Sequence, residues 1–488
     1  MNQVKPRTLS GFMELLPQQQ LYFEKMLSVI RDTYENHGFF PLDTPIIEAS
    51  EVLLAKGGGE TEKQIYRFEK GDTDLSLRFD LTVPLAKYVA MNQGQLTFPF
   101  RRYQIGKVYR GERAQRGRFR EFYQADIDII GSESLAVEND GEMVLLISKV
   151  FAKLGLEGYT IHINNRKILT GFYEMLGLAD KSGDIMRVVD KLEKIGKEKV
   201  LELLVEEGVS VGQEILDFME LSQEPKEAFW EKLKSYEGKN PTFDLGVKEL
   251  AQVCDYLNAT LPEKLLNTVD VNLSIARGLD YYTGTVYETT LNDHPEIGSI
   301  CSGGRYDNLA EYYTNKKLPG VGISIGLTRL FYIMEEKGYL NPLLLSAPCD
   351  VLFLPMSNEK EYMERIRSTM DHCREEIRYQ IYTENKKMKQ KFAYADKLGI
   401  PYVVIIGEEE LEDKESILVK DMKTGEQNKV HYATLGEVLA YSPKSPFYKP
   451  EEIDHDVYDP YAFEPNVNKR RNHPPFSMRK LENKEEKK

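Results

Sequence analysis

The feature that most restricts the fold is an interruption. Sheet-like sequence stops near residue 165, gives way to charged helical sequence over 165–262, and resumes at 274. Such a chain must pair strands from either side of a long insert, and helices gathered in a block rather than alternating with strands define an α+β arrangement. Before the insert, strand-like stretches at 65–68, 75–79, 101–110 and 119–130 are separated by the turn-forming sequences GDTD, GQLTFP and GERAQRG, which predicts an antiparallel sheet. Ahead of them Phe23, Met26, Leu27, Ile30 and Tyr34 recur at helical spacing, and Gly38 supplies a stop. Residues 39–47 are apolar and extended in character, and Pro41 and Pro45 confine them to an edge, an interface or a strand end.

Within 165–262, Ile185, Val188, Val189, Leu192 and Ile195 fall on one helical face, so this stretch reads as an inserted helical domain. Strand character returns at 274–287 and 299–302, followed by the glycine-spaced run GVGISIGLTRLFYIM, where the sheet resumes. Strands and helices alternate only after Pro348: 351–354 and 402–406 are strand-like, and Tyr362, Ile366, Met370 and Cys373 between them mark a helix. A small α/β domain therefore ends the folded chain near Tyr441. The tail 442–488, rich in proline, tyrosine and charge without a sustained period, is expected to be partly disordered.

With 488 residues the chain has room for two or three cores. It contains no run of about eighteen apolar residues that could cross a bilayer. The start MNQVKPRTLSGF lacks an apolar signal core, so a soluble cytoplasmic protein is expected. Cys254, Cys301, Cys349 and Cys373 lie far apart, with no C-x-x-C pair and no histidine at ligand spacing; they read as buried thiols rather than disulfides or zinc ligands. A net charge of −14 excludes wholesale coating of nucleic acid, because phosphate neutralisation needs clustered Lys and Arg. One exception is 110–120, with five arginines among eleven positions, either a solvated hairpin or a local basic patch.

Neither phosphate-cradling glycine loop, G-x-x-x-x-G-K-[ST] or G-x-G-x-x-G, is present, and Gly57-Gly58-Gly59 is only a turn. If ATP is used, side-chain cations have to hold its phosphates, and three segments offer arginines. The first runs from Val108-Tyr109-Arg110-Gly111-Glu112-Arg113 through the basic turn into 118–128, where Gln124, Asp126 and Asp128 share one strand face by parity. That face suits a small polar ligand or, equally, solvent. The second is Arg277-Gly278-Leu279-Asp280-Tyr281-Tyr282-Thr283-Gly284, with Cys301-Ser302-Gly303-Gly304-Arg305-Tyr306-Asp307 downstream. Its glycines permit close backbone approach and its tyrosines an aromatic wall, although ordinary turns and core tyrosines give the same pattern. In the third, 320–329, a small-residue strand runs into an apolar helix with Arg329 near the junction. A helix start with an arginine favours an anion, while a helix packed tightly on a sheet gives the same sequence.

Together these segments resemble class II aminoacyl-tRNA synthetases, and RGLDYYTG with CSGGRYD narrows the resemblance to the histidyl-tRNA synthetase family, over about residues 1–440 and in family order. The resemblance implies an antiparallel-sheet catalytic core in two parts, 1–164 and 263–345, around a helical insertion at 165–262. An anticodon-binding α/β domain at 349–441 and a tail at 442–488 would follow. It further implies activation of L-histidine by ATP and transfer to the 3′ end of tRNA(His). The enzyme would be a homodimer with Pro45 at its interface, with Mg2+ bridging the β- and γ-phosphates and no metal site of the protein's own.

By the same resemblance, Arg110 binds the α-phosphate and the histidine carboxylate, Glu112 faces the adenine, and Arg329 holds the γ-phosphate. Arg277 matches the arginine distinctive of the family, beside the α-phosphate. Asp80, Leu81 and Thr82 take the loop that receives the α-amino group, although the family often has Arg-Pro-Glu-Gly-Thr where this chain has Arg78-Phe79-Asp80-Leu81-Thr82. Gln124 and Asp128 match positions that bind the amino acid, with Asp128 expected to accept a hydrogen bond from an imidazole N–H, and Tyr281 and Tyr282 complete the pocket. Gln115, Arg116 and Arg118 resemble the loop that meets the tRNA acceptor end. The rival reading is the histidyl-synthetase-like regulatory subunit of ATP phosphoribosyltransferase, which keeps the catalytic fold and typically lacks the anticodon domain.

Overall fold

The computed structural model describes residues 3–55, 60–275, 281–338, 347–371 and 377–435, and the chain divides into two compact units, Met1–Asn341 and Pro342–Lys488. In the first unit the chain touches the main sheet at β1 (Phe40–Pro41), then builds a small separate sheet from β2 (Ile47–Ala49), β3 (Arg67–Lys70) and β4 (Thr73–Leu77). A long hairpin of β5 (Phe100–Tyr109) and β6 (Glu121–Ile130) follows, and then β7 (Tyr159–Asn165). Beyond the helical stretch come β8 (Val269–Val271), β9 (Thr285–Leu291), β10 (Cys301–Tyr306) and β11 (Gly320–Gly326). The main sheet has the order β1-β5-β6-β11-β10-β9-β7-β8 and is antiparallel except for the parallel pairs β1/β5 and β7/β8 at its two edges.

The interruption closes at the centre of this sheet. β6, from before the insert, pairs with β11, from after it, setting Asp128 opposite Gly322, Asp126 opposite Ser324 and Gln124 opposite Gly326. The stretch 274–287 is not one strand as expected, because β9 begins only at Thr285. Just before it Thr283 is tied to β10 and beyond: its N–H donates to Arg305 O at 2.8 Å and its Oγ1 to Asp307 Oδ2 at 2.6 Å.

The Pro17–Asn36 helix buries Phe23, Met26, Leu27, Ile30 and Tyr34, as their spacing predicts. The Glu138–Leu154 helix has no amphipathic stripe to announce it: Met143 to Ile147 are buried in succession, so it is enclosed on most sides. Between β7 and β8 the chain is helical, as expected, but the single apolar face drawn through 185–195 breaks. One helix ends at Val189, another starts at Leu192, and Ile195 is exposed. The helices Arg166–Met175 and Pro241–Thr260 cross so closely that a Cβ on Gly171 would lie 2.7 Å from Phe243 Cα. Asn165, at the end of β7, donates from Nδ2 to the buried Glu249 at 2.8 Å, which fastens the second of these helices to the sheet.

The second unit holds β12 (Val351–Pro355), β13 (Tyr379–Ile381), β14 (Tyr402–Ile406), β15 (Ser416–Asp421) and β16 (Gln427–His431) in the order β13-β12-β14-β15-β16. β13, β12 and β14 are parallel, as strand–helix alternation predicts, and β15 and β16 extend the sheet antiparallel. Tyr362 and Ile366 of the Lys360–Met370 helix pack with Val351, Phe353 and Val404. Cys373 and the tail 442–488 lie outside the described residues. Cys301 and Cys349 are buried free thiols, and Cys254 is half-buried. Among the described residues no helix is long and apolar enough to cross a membrane.

Candidate active site

The strands around the sheet's centre frame an open cleft of about 610 Å³, whose lining includes Arg110, Glu112, Arg118, Phe122, Gln124 and Arg329. Arg110 directly follows β5. Its guanidinium carbon lies 4.4 Å from the Phe79 ring centre and 5.2 Å from that of Phe122, and its Nε donates to Phe79 O at 3.2 Å. Aromatic faces on two sides fix the plane of the cation. Burial lowers its pKa, opposed by Asp80 and Glu112, and a guanidinium stays charged regardless. Arg329 stands in the first turn of the Leu327–Glu336 helix, donating from Nε to Gly117 O at 2.9 Å and from Nη1 to Ser299 O at 2.6 Å. Burial and then the neighbouring Arg118 lower its pKa to about 10. Cations crowded into a cleft favour an anionic ligand.

The basic turn is a tight hairpin in which the backbones of Gln115 and Arg118 exchange hydrogen bonds of 3.2 and 2.9 Å. Gln115 and Arg116 are exposed, with Arg116 paired to Glu336, whereas Arg118 turns into the cleft, 3.4 Å from Glu112.

Ser324 borders this cleft and also a narrower pocket of about 190 Å³ lined by Thr82, Asp126, Asp128, Tyr282 and Tyr306. Thr82 is presented by the start of the Thr82–Asn92 helix, whose first N–H groups are met by Asp80: its Oδ1 accepts from Thr82 N at 3.1 Å and from Val83 N at 2.9 Å. Leu81 is fully buried and its carbonyl accepts from Arg102 Nη2 at 3.2 Å. Arg102, opposite Asp128 on β5, is itself fully buried, with Nη2 2.6 Å from Asp128 Oδ2. The Tyr306 hydroxyl donates to Asp128 Oδ1 at 2.5 Å. On β11 the space is taken up by the carboxylate itself, since a Cβ on Gly322 would lie 2.5 Å from Asp128 Cγ. The Gln124 amide donates to Ser324 Oγ at 3.0 Å, and the Tyr281 ring stands edge-on to Tyr282 and Tyr306, at 5.0 and 5.9 Å.

Asp126 is as buried as Asp128, and its Oδ1, like Asp128 Oδ2, has no hydrogen-bond partner. Burial raises its pKa to about 7, with Arg102 pulling down and Asp128 pushing up.

The fold thus gathers Arg110, Glu112, Arg118, Gln124 and Arg329 around one cavity and Thr82, Asp128 and Tyr282 around the other, with Asp80, Leu81 and Tyr281 buried. Arg277 lies outside the described residues. Arg102 and Ser324 join the site without having been expected there, whereas Tyr306 comes from the second candidate segment and Asp126 from the strand face read as suited to a small polar ligand. For Asp126 the signal was present in its shared strand face with Gln124 and Asp128. Arg102 becomes visible only through strand register, because the residue it neutralises is on the neighbouring strand.

A largely antiparallel sheet carrying an anion cleft built from arginines instead of a glycine loop defines a class II aminoacyl-tRNA synthetase. The histidyl-tRNA synthetase family matches residues 11–330, and an anticodon binding domain matches 350–441. Over 427 residues the chain is 54% identical to the histidine–tRNA ligase of Clostridium tetani, spanning 87% of this chain and 95% of that one. The crystal structure of histidyl-tRNA synthetase from Nostoc sp. PCC 7120 aligns with a TM-score of 0.80 at 39% identity, over 89% of this chain and 99% of that one. An ATP phosphoribosyltransferase regulatory subunit/histidyl-tRNA synthetase from Bacillus halodurans shares the fold, with a TM-score of 0.67 at 18% identity over 83% and 99% of the two chains. The chain belongs to the histidyl-tRNA synthetase family.

Proposed function

We propose that the protein is an ATP-dependent histidine–tRNA ligase, which makes histidyl-adenylate and pyrophosphate from L-histidine and ATP and then passes the histidyl group to the 3′ end of tRNA(His). The observation that carries this reading is the junction at Ser324, which borders both the arginine-lined cleft and the acid-lined pocket. A nucleotide's α-phosphate and an amino acid's carboxylate can meet there.

In this reading histidine lies with its ammonium near Asp80, Leu81 and Thr82, its carboxylate toward Arg110 and Gln124, and its ring between Tyr281, Tyr282 and the acids of β6. A carboxylate oxygen attacks the α-phosphorus and the bond to pyrophosphate breaks. Arg110 and Arg277 stabilise the charge that gathers on the equatorial oxygens. Glu112 faces the adenine and Arg329 takes the γ-phosphate. Mg2+, bound together with ATP, would supply positive charge to the phosphates. In the second step a ribose hydroxyl attacks the carbonyl carbon and AMP leaves, helped mainly by positioning. Gln115, Arg116 and Arg118 meet the acceptor end. The exposed Arg116–Glu336 pair can be exchanged for a phosphate at little cost.

We assign 1–164 and 263–345 to catalysis, 165–262 to the insertion and 349–441 to the anticodon, with no role for 442–488. Phe40, Ile46 and Ile47 flank Pro45 and are all exposed, which supports a homodimer through this apolar edge, working in the cytoplasm. The matched anticodon domain and the close identity to a histidine–tRNA ligase weigh against the regulatory-subunit reading. The test is charging of total tRNA by the purified chain with ATP and Mg2+, with each amino acid in turn. Histidine alone is expected to be transferred. A folded protein that charges nothing but binds ATP phosphoribosyltransferase would replace the ligase reading with its rival.

A further inference from the structure

The end of β7 and the start of the helical stretch behind it hold both flanks of the segment 277–284. Asn164 is fully buried and commits its whole amide to backbone. Its Nδ2 donates to Leu273 O at 3.2 Å and to Ile275 O at 3.0 Å, and its Oδ1 accepts from Asn165 N at 2.7 Å. Ile275 stands two residues ahead of Arg277 in the sequence. On the other flank the N–H of Arg166 donates to Gly284 O at 2.9 Å. A further support comes from within the helical stretch, where the Ser222 hydroxyl accepts from Leu273 N at 2.7 Å. Leu273 is fully buried, and a buried N–H without an acceptor costs free energy. The neighbouring Asn165 accepts from Lys167 N at 3.0 Å, capping the Arg166–Met175 helix, and donates to Glu249 of the Pro241–Thr260 helix. One amide is thus given to the chain that enters 277–284, and the next to the helices between β7 and β8.

Resting on the ligase reading, we propose that Asn164 and Ser222 are positioning residues for histidine activation, so that the helical stretch between β7 and β8 supports this step before any tRNA is bound. Neither side chain touches histidine or ATP in this assignment. Both act through the backbone that leads to Arg277 and, at its far end, to Tyr281 and Tyr282. The interaction assigned to Arg277 strengthens as charge gathers on the phosphorus oxygens, so displacing its backbone lowers the rate more than it weakens ground-state binding. Arg110 and Arg329 are carried by other elements, the end of β5 and the Leu327–Glu336 helix, so ATP binding does not depend on this support. Bonds that served folding alone would lower stability and leave the kcat of the folded enzyme unchanged.

The test is histidine-dependent ATP–pyrophosphate exchange by the full chain in the absence of tRNA. Ser222→Ala strands the Leu273 N–H and should lower kcat about 3- to 10-fold, the worth of one neutral hydrogen bond, with the KM for ATP unmoved. Ser222→Thr keeps the hydroxyl and should restore kcat. Asn164→Ala frees two buried carbonyls and should lower kcat about 10- to 100-fold, again with the KM for ATP unmoved. An unchanged kcat in folded Ser222→Ala overturns the inference, whether or not Asn164→Ala folds, and a defect confined to tRNA charging would return the helical stretch to tRNA contact alone. A KM for ATP that rises in step with the fall in kcat also overturns it, as the mark of a loosened fold. A wild type with no histidine-dependent exchange would instead overturn the ligase reading.

Discussion

A buried carboxyl should weaken the protein when it ionises, and Asp126 gives that cost a pH signature. Burial raises its pKa from 3.8 to about 7 in the fold, while the unfolded chain keeps the ordinary value. Between those values the folded state holds a proton that the unfolded state has released, so stability falls as pH rises and levels off above the folded pKa. A shift of about three units amounts to about 4 kcal/mol in all, of which about 3 kcal/mol is lost between pH 5 and 8. Asparagine keeps the shape and does not titrate. In the ligand-free protein Asp126→Asn should therefore gain stability over the wild type progressively across that window and stay level beyond it. Urea unfolding at a series of pH values, followed by fluorescence of Trp230, the single tryptophan, reads this in the first unit. Midpoints of the two proteins that run parallel from pH 5 to 8 would refute the argument, because Asp126 would then be ionised in the empty pocket.

The other predictions probe its surroundings. Asp128→Asn strands the buried Arg102 charge and should cost about 3–5 kcal/mol in urea unfolding, whereas the pair Arg102→Met with Asp128→Leu should recover most of that loss and still fail to bind histidine. Equal instability of single and double variants would show that the pair does not act as a unit. Gly322→Ala drives a methyl group into Asp128 and should destabilise by about 1–3 kcal/mol while raising the KM for histidine more than that for ATP; an unperturbed histidine KM would mean the strand simply gives way. Arg329→Ala removes a cation from the cleft and should raise the KM for ATP about tenfold or more at constant histidine KM, checked by pyrophosphate exchange.

What the sequence disclosed depended on how far apart the interacting residues stand. The β5–β6 hairpin was legible because its period-2 pattern and its basic turn are contiguous, and Gln124 and Asp128 could be set on one face by parity alone. The Pro17–Asn36 helix was legible from one stripe of spacing. The Glu138–Leu154 helix was not, since enclosure on most sides erases the stripe. Nor were the partners of the acids. Both aspartates lie on the same strand face, and only the register that sets Arg102 beside Asp128, and the hydroxyl of Tyr306 from a strand beyond the insert, give Asp128 an ion pair and a hydrogen bond that parity cannot show. The break in the helical face after Val189 was equally hidden, because the apolar spacing continues across it while the backbone does not.

Charge in this pocket serves placement rather than stability. Arg102 has Nε and Nη1 without hydrogen-bond partners and is fully buried, so its position in the sheet cannot be justified by stability; apolar residues of similar volume would serve the fold as well or better. What the cation does is hold Asp128 and the Leu81 carbonyl at fixed places and lower the cost of ionising Asp126 beside it. Without Arg102 the pKa of the Asp126 carboxyl would sit higher still. One arginine between two carboxylates thus fixes Asp128 and sets how readily Asp126 ionises beside it.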